Sequence, residues 1–163
     1  MTLHVERSAP TAITLTRSFD APPEAIWAAH TDAVQVRRWM CGDGGTVLEV
    51  HEMDPHPGGA LRMAWRETDG SGFSVEGTFE TVEPPAPGRT GRTVHTETML
   101  LPEPMPANRI ETRFIPEGTG TRLVVIMTLP EAADADALLA SGMTGGMEGC
   151  YALLDRLEVP EAA

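Results

Sequence analysis

From Asp134 to Leu157 the apolar and small residues Leu139, Met143, Gly146, Cys150, Leu153, Leu154 and Leu157 recur at three- and four-residue intervals. That period puts them on one face of a helix, so the spacing predicts a single long C-terminal helix with one buried side, closed by Pro160. Such a face must be laid on another layer of structure. The partner is written upstream, where strand-like stretches fall near Val47–Met53, Ala60–Arg66, Phe73–Val82, Thr93–Leu101, Arg109–Ile115 and Thr121–Leu129, separated by Gly- and Pro-rich connectors. Segments such as Asp69-Gly70-Ser71-Gly72 and Glu117-Gly118-Thr119-Gly120 supply the backbone freedom that hairpin turns need, so the strands pair antiparallel in succession.

Before these strands, Ile13-Thr14-Leu15-Thr16-Arg17-Ser18-Phe19 alternates with period two and reads as a first strand covered on one face. Asp20 as a capping acid and Pro22-Pro23 then open a short helix through Ala29. A second short helix runs from Asp32 to Trp39, with Val34, Val36 and Trp39 available for burial. The plan is α+β: a curved antiparallel sheet wrapped around one long helix, with two short helices after the first strand. The 163 residues are read as one domain, with its core at about 12–158 and flexible termini. A twisted sheet has a concave face that one helix does not fill, so an apolar cavity between helix and sheet is expected.

Composition removes several classes of function. Twelve basic residues, all Arg, stand against twenty-four acidic ones, a formal charge of −12 that leaves no basic stripe for nucleic acid. Glu6, Arg7 and Pro10 interrupt any signal-like apolar run, and no stretch is long enough to span a membrane, so a cytoplasmic protein without membrane insertion is expected. Two cysteines fit a reducing compartment, and Cys150, on the apolar stripe, reads as a small buried hydrophobe rather than a nucleophile.

Gly142, Gly145, Gly146 and Gly149 lie within the predicted helix, flanking its apolar stripe. Each interior glycine costs a helix about 0.8–1 kcal/mol relative to Ala, so the bare surface has to serve either close packing, the weightier reading, or room for a ligand. Met143 and Met147 adjoin it, and Met63, Met99 and Met127 come from predicted strands. With Trp39, Trp65, Phe79, Phe114, Gly146 and Cys150 they make the candidate lining of the cavity, a methionine-rich surface adaptable to irregular apolar ligands.

The order of motifs resembles the START-like, or SRPBCC, superfamily, in the branch of homologues of the activator of the heat-shock-protein-ninety ATPase. The resemblance is carried by the opening strand with Phe19-Asp20-Ala21-Pro22-Pro23-Glu24-Ala25-Ile26-Trp27, by Val36-Arg37-Arg38-Trp39, and by Asp54-Pro55-His56-Pro57-Gly58-Gly59. It continues through Val75-Glu76-Gly77-Thr78-Phe79, Gly120-Thr121-Arg122-Leu123, Gly145-Gly146-Met147 and Leu153-Leu154-Asp155-Arg156-Leu157. It implies a helix-grip fold, a deep apolar cavity, and binding or modification of hydrophobic small molecules, often by dimers. The co-chaperones that give the family its name carry a separate N-terminal domain for which this chain has no room, so chaperone activation is not expected. Met40-Cys41-Gly42 replaces the family's usual tryptophan-and-proline segment.

Three function classes stay open. The first is binding of a small hydrophobic molecule, with no metal or organic cofactor required. The second is a cyclase-, aromatase- or hydrolase-type enzyme needing a placed acid or base among His51, Asp54, His56, His95, Glu97 or Arg113. The third is a protein-interaction module, a homodimer or co-chaperone-like. His51, Asp54 and His56 straddle a strand end and a turn without metal-ligand spacing and read as exposed turn residues. His95 and Glu97 share one strand face, and the rule that half-covered strands put polar residues outward assigns them to the surface. Arg37, His95 and Arg113 are the candidate polar contacts to a ligand, Arg37 having an alternative role at its helix end.

Overall fold

A computed structural model describes residues 2–101 and 103–157; Pro160 lies outside them. The strands are β1 (His4–Ala9), β2 (Ala12–Phe19), β3 (Val47–Met53), β4 (Ala60–Arg66), β5 (Gly72–Glu83), β6 (Gly91–Leu101), β7 (Glu103–Pro104), β8 (Asn108–Glu117) and β9 (Gly120–Thr128). The helices are α1 (Pro23–Thr31), α2 (Ala33–Trp39), α3 (Ala132–Ala140) and α4 (Met143–Arg156). All pairings are antiparallel in one sheet of order β1-β2-β9-β8-β6-β5-β4-β3, with β7 folded onto β6.

The predicted strands are present, but three expectations are corrected. An additional strand, β1, forms a hairpin with β2, so His4–Ala9 belongs to the sheet rather than to a flexible terminus. The C-terminal helix is two helices. Asp134 accepts from the Glu131 amide at 3.1 Å at the start of α3, and the chain breaks at Gly142, whose φ of +83° no other residue type adopts readily. Ser141 seals the break, its hydroxyl donating to Leu138 O at 2.6 Å and accepting from Met143 N at 3.3 Å. In the short helices, Pro22 rather than Asp20 precedes the first turn of α1, and Asp32 caps α2 by accepting from Val34 N and Gln35 N. Val36 and Trp39 are buried there, whereas Val34 is 62 % exposed.

Strand register decides which side chains face the helices. One face carries Ile13, Leu15, Arg17 and Phe19 of β2, Leu123, Val125 and Met127 of β9, and Ile110, Thr112 and Phe114 of β8, all buried. α1 and α4 cover this half, where Trp39, Tyr151 and Leu154 complete the first core cluster. Across the sheet the same face continues through Phe79 and Val75 of β5, Leu61 and Met63 of β4, and Leu48 and Val50 of β3, all buried, and all of these but Val75 form the second cluster with Val36 of α2. β6 runs between the two.

Arg17 fixes α4 over the first half. Its side chain is 2 % exposed, and Nη1 donates to Asp155 at 2.6 Å while Nη2 reaches Glu148 at 3.4 Å. Asp155 and Glu148 are seven residues, about two turns, apart on α4, so one planar guanidinium holds both from the same flank. Glu148 also accepts from the Leu3 amide at 2.6 Å.

Candidate functional site: a partly open strip of the concave face

The rungs of the concave face can be read across the sheet from the register. Leu48, Trp65 and Phe73 share one rung, where the Trp65 and Phe73 rings stack at 4.8 Å and 12°. Val50, Met63, Val75 and Met99 make the next. Leu61, Gly77, Glu97 and Asn108 follow, and then Phe79, His95, Ile110 and Met127. An apolar stretch of about 13 Å, the rise of four strand residues from Phe73 to Gly77, therefore ends on a polar rung.

His95 and Glu97 thus face inward, which corrects the surface assignment. Their side chains are 16 % and 20 % exposed, with His95 Nε2 3.5 Å from Glu97 Oε1 and the imidazole tilted against Phe79 at 5.8 Å. Asn108, opposite Glu97, has a buried Oδ1 without a hydrogen-bond partner. Gly77 on this rung cannot carry a side chain, because a Cβ would run into the Thr96 carbonyl oxygen. At the far end exposure rises: Val75 is 2 % exposed, Met99, Trp65 and Phe73 are half-buried, and Leu101 is 48 % exposed. A depression of about 500 Å³ opens there, lined by Gly72, Phe73, Ser74, Leu100 and Leu101. Another, of about 270 Å³, lies between Phe19, Asp20 and the end of α4. The larger of these depressions is open at the rim beside Phe73.

The glycines of α4 border open space. A Cβ at Gly145, Gly146 or Gly149 would meet nothing within 4 Å, so close backbone packing does not account for them. Gly146 is nine residues from Asp155, half a turn around the helix, and therefore on the flank turned away from β2. Cys150 follows Gly146 by one turn and faces the Cys41–Asp43 loop, with a hydrogen bond to the Gly42 backbone; burial pushes its thiol up to about 11. It is an inert thiol. Arg156 closes that side with an ion pair to Asp43 at 2.9 Å.

The other candidate residues divide among different environments. Trp39 and Phe114 are packed core: the Trp39 indole N–H donates to Ala29 O at 2.8 Å and its ring stacks on Tyr151 at 5.6 Å, while Phe114 meets Trp27 edge-on at 5.1 Å. Met127 is buried in the same cluster, with Met143, Met147 and Cys150 packed against it. Met63 and Phe79 are buried in the second cluster, Trp65 packs against it and donates its indole N–H to Met40 O at 2.9 Å, and Met99 stands on the strip between the clusters. Arg113 is corrected to the outer face, where it pairs with Glu111 at 3.0 Å. Arg37 is exposed and donates to Val50 O at 3.1 Å, tying α2 to β3 instead of reaching into the groove. His56 pairs with Asp54 at 2.6 Å and His51 lies 3.5 Å from Glu49, all exposed. Among the described residues no group of three metal-ligating side chains converges.

Sequence reasoning passed over Phe73, Asn108 and His30. The first two are visible only through register. His30 donates from Nδ1 to Ile26 O at 2.7 Å, which leaves Nε2 a bare acceptor, buried and without a partner. Its ring is enclosed by Trp39, Phe114 and Tyr151, and burial lowers its pKa to about 4.

Comparison with known proteins adds the following. The family model described as Activator of Hsp90 ATPase homolog 1-like protein matches residues 20–158. A crystal structure of a Rhodobacter sphaeroides protein is 26 % identical with a TM-score of 0.86, over 96 % of this chain and 97 % of that one. A Mycobacterium smegmatis protein is 21 % identical with a TM-score of 0.79, covering 94 % of each chain. An Arthrobacter aurescens protein solved in solution is 18 % identical with a TM-score of 0.80, over 95 % of this chain and 90 % of that one. These likenesses identify the helix-grip fold. No curated protein matches the chain.

Proposed function

We propose, from the premise that this chain belongs to the Activator of Hsp90 ATPase homolog 1-like family of the SRPBCC superfamily, that it binds a small hydrophobic molecule in the groove along β4, β5 and β6. The carrying observation is a partly uncovered strip at the edge of the concave face. Trp65, Phe73 and Met99 remain half-buried there, and the flank of α4 turned away from β2 has no side chain at Gly146. Half-buried aromatic and thioether surface gains about 25 cal/mol for each Å² removed from water, and a flat apolar molecule laid on the strip removes it. No helix among the described residues is long and apolar enough to cross a membrane, and binding in such a groove needs none.

The test is native mass spectrometry of gently purified protein, followed by titration with uncharged methoxynaphthalene read by tryptophan fluorescence. A discrete co-purified mass, or a saturable change that Gly146→Leu weakens in a still-folded protein, supports the reading. An empty protein with no response to the probe refutes it. The same spectrum reports whether two copies pair.

A further inference from the structure

Resting on that groove reading, the polar rung says what kind of ligand belongs in it. Glu97 is a half-shielded carboxylate on the concave face, and among the described residues its side chain meets the His95 imidazole, Nε2 to Oε1 3.5 Å. The neighbouring arginines point away, Arg92 and Arg113 to Glu111 and Arg109 to Glu80, all on the outer face. Across from Glu97, Asn108 Oδ1 is buried and unpartnered. An ionised carboxylate only accepts hydrogen bonds, and an orphaned amide oxygen also asks for a donor. Water or protein can supply one at a modest gain; a ligand hydroxyl held at the end of an apolar body supplies it in a fixed place. A ligand carboxylate would bring like charge beside Glu97 in a site partly closed to water, where repulsion is weakly screened.

We propose that the Glu97–Asn108 rung, with His95 beside it, is the polar end of the binding groove and selects a neutral, flat apolar molecule carrying a hydrogen-bond-donating hydroxyl, a phenol in the simplest case, while rejecting carboxylates such as fatty or aromatic acids. The apolar body lies over Met99 toward Phe73 and Trp65. The hydroxyl donates to Glu97, whose side chain is 20 % exposed, and His95 packs the imidazole edge against it.

Three probes of one shape separate the outcomes: naphthol, naphthoate and methoxynaphthalene of the same substitution, titrated into the full chain. Naphthol is expected to bind about tenfold or more tightly than either of the others, the size of one hydrogen bond to a charged group. In Glu97→Gln, which keeps the shape and removes the charge, the preference of naphthol over naphthoate should fall about tenfold. Thermal unfolding of the variant shows that it is folded. Equal binding of all three, tightest binding of naphthoate, or a preference untouched by Glu97→Gln overturns the polar-end assignment and leaves the groove standing. Failure of all three to bind overturns the groove and this assignment together.

Discussion

The open space around α4 makes a quantitative prediction for Gly146→Ala combined with Gly149→Ala. Both glycines are exposed, both lie beyond the first turn of the helix, and a Cβ at either meets nothing within 4 Å. The substitution therefore adds no clash and no buried contact, leaving only the intrinsic difference between Gly and Ala in a helix, about 0.8–1 kcal/mol each. The two positions are neighbours on the helix but share no partner, so the effects add to about 1.6–2 kcal/mol of extra stability. For a domain of this size that raises Tm by about 3–8 °C. Urea unfolding followed by circular dichroism should show a higher midpoint with an unchanged slope. Destabilisation by the double variant would refute the reasoning, because it would mean that another surface, such as a second copy, packs against the bare flank. If the groove holds its ligand against this flank, the stabilised variant should also bind methoxynaphthalene more weakly.

Asp155→Ala should cost about 3 kcal/mol in denaturant unfolding, and more than Arg17→Met, because Arg17 is enclosed and cannot take its charge to water whereas Asp155 and Glu148 are about a third exposed. Equal costs, or a larger cost for Arg17→Met, would contradict this asymmetry. For His30, the folded pKa of about 4 lies below the ordinary 6.5, so the unfolded chain binds more protons between those values and stability falls as pH falls through that window. The loss approaches at most about 3 kcal/mol near pH 4; His30→Phe should remove that part of the pH dependence, and a difference curve flat from pH 7 to about 4 would sink the assignment.

Much of the sheet was legible because its signals are local. β3 and β4 begin and end as the sequence predicts, at Val47–Met53 and Ala60–Arg66, since alternating residues are bounded there by residues that only turns favour. β1 carries no such signal: five of its six residues are exposed and it pairs only with β2, so nothing in its pattern asks for a buried face. The break at Gly142 is equally silent, because the apolar period runs across it and a positive φ is a property of the folded backbone. His95 and Glu97 read as outward from the sequence for a sharper reason. β6 places the fully buried Val94 on the face opposite His95 and half-buried Met99 on the same face as His95, so its sequence has no consistent alternation. Only pairing with Phe79 and Ile110 fixes the side, and a slip of one residue would reverse every side chain.

The position of α4 explains how a strip of the concave face stays partly uncovered. Apolar burial has no direction, so the stripe of Met143, Met147, Tyr151 and Leu154 would gain as much from sliding toward β5 as from lying over β2. Arg17 removes that freedom. A planar guanidinium reaching two carboxylates two turns apart fixes both the rotation of α4 and its travel along its own axis. With Glu148 and Asp155 committed to β2, the opposite flank must face the remaining half of the sheet, and at Gly146 that flank has no side chain to fill it. The helix is held back from the strip that ends in Glu97 and Asn108, so the polar rung keeps unmet hydrogen-bonding capacity beside an apolar floor. A leucine-lined closure at those positions would bury more apolar area and avoid the orphaned amide, at a cost to the unfilled groove that the bare helix flank and the buried clamp together maintain.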